Sequence, residues 1–109
     1  MPARDDYFMR QIQQVAAALR RLLSQVDDGA PSDGVLRDAG AAIGELLGTQ
    51  RSMLEMLDAK SAAALVGDAE KLELWIGLLK LQAKIAEPTK AAKFLARANA
   101  LAEAAPVKP

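Results

Sequence analysis

The 109-residue chain contains no cysteine and no histidine, and each absence removes a kind of chemistry. Without thiols there are no disulfides, thiolate nucleophiles or zinc–thiolate centres. Without imidazole the chain lacks the usual neutral-pH general base and every triad or metal signature built on histidine. Aromatic residues are only 4% of the total, and no series of them alternates with the basic residues to stack successive bases. No apolar run approaches the roughly 20 residues of a membrane span. Glycine-rich phosphate loops are missing as well. Nor is there a surplus of either charge: 14 basic and 14 acidic residues give a net charge of zero, unlike the strongly basic domains that coat nucleic acid.

The acidic residues that remain do not assemble a reaction centre in sequence. Glu70 and Glu73 share a helix face at i, i+3, a spacing that is ordinary on a solvent-facing turn. The loop carrying Asp27, Asp28 and Asp33 lacks the alternating oxygen ligands and closing Glu of a calcium loop. The expectation is therefore a protein that is not an enzyme and that holds no cofactor or metal. The start "MPARDDYF" has acids where a signal peptide needs an uninterrupted hydrophobic core, so the expected location is the cytoplasm.

What is present is helical periodicity. β-branched residues are few, alanine and leucine dominate, and nothing alternates with period two, so no strand is expected and the fold class is all-α. Residues 4–26 place Phe8, Ile12, Val15, Leu19, Leu22 and Val26 on one stripe of a long amphipathic helix. Asp5 and Asp6 suit its positive end, and Arg20 and Arg21 its negative end. "DDGAPSDG" is turn chemistry, with Ser32 or Asp33 available to cap a second helix over 33–47. That helix buries Leu36, Ala39, Ile43, Leu46 and Leu47 and stops at Gly48. Residues 50–66 form two short helices, the first begun by a Ser52/Glu55 capping box and the second capped by Asp58. Gly67 ends that piece, and Asp68 caps the next helix.

The segment 69–105 is a helical hairpin. Its first helix, Ala69 to Ala86, is apolar except along one narrow line, Glu73, Gly77, Lys80, Lys84 and Glu87; a helix this apolar is expected at the centre of the fold. Glu87-Pro88 breaks the chain, with Pro88 suited to a first helical position. The last helix places Ala91, Phe94, Leu95, Ala98, Leu101 and Ala102 on one side. It ends before Pro106, leaving "VKP" as a frayed tail. One domain of five or six helices is expected, large enough to bury roughly two-thirds of its unfolded surface.

Within that hairpin Trp75 and Leu78, with Ala91, Leu95 and Ala98, resemble the large and small positions of a tetratricopeptide repeat. Leu79 stands where that repeat has a Gly and Gln82 where it has an aromatic, and one repeat is visible where arrays need about three. The whole chain is similar to a family of small bacterial all-helical proteins. They open with a "DYxMRxIxQ" helix, matched by Asp6, Tyr7, Met9, Arg10, Ile12 and Gln14, and close with a tetratricopeptide-like hairpin. The resemblance implies an all-helical fold and no assigned activity.

Two groups of residues are candidate binding surfaces. Phe8, Ile12, Val15 and Leu19 form a near-heptad stripe suited to a second copy or a partner's groove, or to packing within the chain. Gly40 and Gly44, followed by Gly48, lay bare one side of the second helix for close approach of another helix, in the same chain or between subunits. Charge is unevenly spread. Residues 1–26 carry +2, residues 27–58 carry −5 and residues 59–109 carry +3. Lys80, Lys84, Lys90, Lys93 and Arg97 form the basic surplus. They are read either as solvation of an apolar hairpin facing the acidic middle, or as a docking patch. The function expected is a non-catalytic protein–protein interaction or scaffold module that self-associates as a homodimer or larger homo-oligomer. The alternative is a small regulator binding an anionic surface, either membrane lipid or nucleic acid, through basic helix faces.

Overall fold

The computed structural model describes residues 3–105, and the side chains from Asp6 onward. The tail expected at Val107–Pro109 and the charges of Arg4 and Asp5 therefore lie outside the described residues. Among the described residues there are helices and no strand. In order they are α1 (Ala3–Asp27), α2 (Ser32–Leu47), a 3₁₀ turn (Gly48–Gln50), α3 (Arg51–Met56), α4 (Ala59–Val66), α5 (Ala69–Ile85) and α6 (Pro88–Ala104). The all-α bundle expected from the periodicity is the fold found.

Local chemistry places most of the boundaries. Gly29, Gly48 and Gly67 end helices at φ of 81°, 61° and 71°, a left-handed region that costs a side-chain-bearing residue energy. Asp58 caps α4 by accepting from the Ser61 N–H at 3.1 Å, and Asp68 caps α5 by accepting from Lys71 N–H at 2.9 Å. Glu87 caps α6, one carboxylate oxygen for the Thr89 N–H and the other for the Lys90 N–H, both at 2.9 Å. Pro88 takes the first helical position, where its missing N–H costs nothing.

Two expected caps are not made. α2 begins at Ser32 behind Pro31 with no side-chain cap, so neither Ser32 nor Asp33 serves. The Ser52/Glu55 box does not form either. The 3₁₀ turn feeds directly into α3, leaving Ser52 inside the helix, and Glu55 turns to Arg51 at 3.2 Å instead.

α5 is the central helix, packed against α1, α2, α4 and α6. It buries Leu72, Trp75, Ile76, Leu78, Leu79, Leu81 and Gln82, and Trp75, 1% exposed, is the largest fully buried side chain. The stripe of α1 closes over α2 and α5. Ile12, Val15 and Leu22 are buried, with Phe8, Leu19 and Val26 packed against them; each full burial contributes about 1.5–3 kcal/mol. On α2, Ala39, Ile43, Leu46 and Leu47 are buried as expected, but in the first turn Val35 takes the core position and Leu36 is only half-buried. Ala62 and Ala63 of α4 are buried, and their small side chains let that helix lie close to α6.

Candidate functional site

The narrow polar line of α5 marks where the bundle opens. Gly77 has no side chain there, and a Cβ at that position would meet Leu19 Cδ2 at 2.9 Å. α1 therefore comes down onto α5 at that point, and the surface beyond it becomes a groove of about 500 Å³. Its walls are Leu19 and Leu23 of α1, Gly77, Leu81 and Ala83 of α5, and Leu95 of α6, with Lys80 and Lys84 on the α5 rim. Among the described residues, no carboxylate lines it. Leu23 and Leu95 are both exposed, so two large apolar side chains of different helices face water around one concavity. Sequence reasoning passed over both the closeness at Gly77 and the exposure of Leu95. Helical spacing had set Leu95 on the buried side, but α6 meets the rest of the fold chiefly through Ala98 and Leu101. Leu95 therefore does not interlock as its tetratricopeptide counterpart would.

The five residues of the expected basic patch separate. Lys80 and Lys84 rim the groove. Lys90 borders a different cavity of about 480 Å³ at the start of α2, together with Asp33, Arg37 and Gln82 among others. Lys80, Lys84, Lys90 and Lys93 are exposed, and none forms an ion pair with a described residue. Arg97 leaves the patch altogether. Its guanidinium lies 5.6 Å from the centre of the Trp75 ring and donates to the Leu54 carbonyl at 2.8 Å, pinning α6 to α5 and α3.

The candidate interface residues of α1 and α2 also find their partners inside the chain. Ile12 and Val15 are covered, and Phe8 and Leu19 are half-buried, so the stripe is core rather than an open seam. Gly40 and Gly44 receive no helix. Arg51 fills the space instead: it donates to the Gly40 carbonyl at 3.0 Å, and its guanidinium stands 3.0 Å from where a Gly44 Cβ would be. A guanidinium thus occupies the bare backbone patch that was expected to admit another helix.

Gln82 is the buried polar side chain of the core, 7% exposed, and its Oε1 has no hydrogen-bond partner. Such an oxygen costs about 1–3 kcal/mol. Glu70 and Glu73 border a shallow cavity with Ile12, Ala16, Leu19 and Leu74. Among the described residues, no group of three or more carboxylates could hold a metal ion, and no helix is long and apolar enough to cross a membrane.

These features define the molecule as a small all-α domain with a lysine-rimmed apolar groove between α1, α5 and α6. Set against protein-family models, curated proteins and solved structures, the chain has no significant match.

Proposed function

We propose that the protein is a non-catalytic cytoplasmic interaction or scaffold module, and that the groove between α1, α5 and α6 is its docking surface. Its occupant is an apolar helical segment with acidic flanks. The observation that carries this reading is the combination of exposed Leu23 and Leu95 with Lys80 and Lys84 and, among the described residues, no acid. Apolar walls supply the affinity of such contacts, and rim charges set partner choice and on-rate. The likeness of residues 69–105 to a tetratricopeptide unit at Trp75, Leu78, Ala91 and Ala98 fits a module of this kind.

The test is fluorescence anisotropy of a labelled amphipathic helical peptide, leucine-faced and glutamate-flanked, titrated with the protein. Saturable binding is expected, weakened by added salt and weakened at least about tenfold by Leu95→Asp. Binding that Leu95→Asp leaves unchanged would remove the groove from the reading. An absence of peptide binding, together with tight salt-sensitive binding to vesicles of anionic lipid, would replace it with the anionic-surface alternative.

A further inference from the structure

We infer that the groove takes a second copy of this chain, entering through the corner at Met53 and Met56; the inference rests on the interaction-module reading above. α3 is only six residues long, yet it exposes Met53 and, at 87%, Met56. Asp58, two residues after Met56, is exposed, while Glu55 is paired with Arg51 at 3.2 Å. This is the chemistry that the groove lacks and matches: unbranched, adaptable apolar side chains beside the Asp58 carboxylate, against apolar walls rimmed by Lys80 and Lys84.

The fold prevents one chain from satisfying both surfaces itself. Arg97 holds α3 against one side of α6 through the Leu54 carbonyl. Leu95 lies two residues earlier, about 200° around the helix axis. Corner and groove therefore look out from opposite sides of α6, and a corner can fill only the groove of another molecule. Because corner and groove look out from opposite sides, two molecules that share one such contact cannot also make the reciprocal one, so the contact is head-to-tail and generates a ring of three or more or an open chain of subunits rather than a two-fold dimer.

Sedimentation velocity across a concentration series tests this. The wild-type chain is expected to form species larger than a dimer that grow with concentration and shrink with added salt. Leu95→Asp spoils the groove and Met56→Asp the corner, so each alone is expected to be monomeric. Mixed in equal amounts they are expected to give a dimer that grows no further, because each partner keeps one good surface. Lys84→Glu, at an exposed position, repeats the groove experiment without altering an apolar wall.

A wild-type dimer that does not grow, or two variants that fail to rescue each other, would overturn the head-to-tail contact. A wild-type chain that stays monomeric would overturn the second-copy occupant, while the acidic peptide reports separately on the docking surface. If the peptide binds and the chain does not self-associate, the interaction reading stands and this inference falls.

Discussion

α5 and α6 are each 17 residues long and neighbours in sequence, but they play different parts. α5 is contacted by four other helices and buries seven side chains, whereas α6 packs on α4 and α5, reaches α3 through Arg97, and buries only Ala98 and Leu101. A helix enclosed on all sides but one has most of its residue types set by packing. A helix held along one stripe leaves side chains such as Leu95 free to meet something else. A binding surface is therefore to be sought at the seam where the central helix and the one-sided helix part, since the groove forms there.

The largest expected effect breaks the enclosed side. Trp75→Ala removes the biggest buried side chain and is expected to destabilise the fold by about 3–5 kcal/mol, read from the urea midpoint. An unchanged midpoint would mean that α5 is not the centre of the core. Next, Arg97→Ala removes a charge-assisted hydrogen bond and a contact with the Trp75 ring, with an expected loss of about 2 kcal/mol. Lys84→Ala, from the same expected patch, is expected to stay within about 0.5 kcal/mol. Equal losses for the two would erase the distinction between the pinning arginine and the rim lysine.

Gln82→Leu sharpens the comparison in the opposite direction. It removes the unpartnered Oε1 from α5 at little change in volume, so a stabilisation of about 1 kcal/mol is expected. A lower midpoint in urea would show that the amide is satisfied in solution.

The smallest effect concerns the caps. Hydrogen bonds from Ser61, its hydroxyl first and its backbone N–H second, hold the Asp58 carboxyl below its ordinary pKa. The Thr89 and then the Lys90 backbone N–H do the same for Glu87. A depressed folded-state pKa means stability that is fully present above the ordinary carboxylate range and lost as pH falls through and below it. Melting temperature is expected to fall across that acid window. The double variant Asp58→Asn, Glu87→Gln is expected to flatten the fall, and an unchanged slope would assign it to other carboxylates.

Much of this was legible in the sequence because the signals are local. Asp58, Gly67, Asp68 and Pro88 each act within one turn of their own position, so their roles can be read from the residues beside them. The narrow line of Glu73, Gly77, Lys80 and Lys84 likewise marks the one side of α5 that meets solvent. Where the reading went wrong, the cause was a choice between partners. Glu55 had two local partners, Ser52 three residues before it and Arg51 four, and it pairs with the charged one. Gly40 and Gly44 offered bare backbone, and a long guanidinium from the next helix reached it first.

Local sequence dictates an all-α chain, the helix ends set by glycine and carboxylate, and a central α5, because periodicity and capping are properties of a few adjacent residues. Packing between helices sets the rest: the α1 stripe is covered by its own chain, Arg97 is a pin rather than part of a patch, and Leu95 is left facing a groove. Those outcomes depend on which helix docks where and how closely, as Gly77 shows beneath Leu19, and no local pattern carries that information.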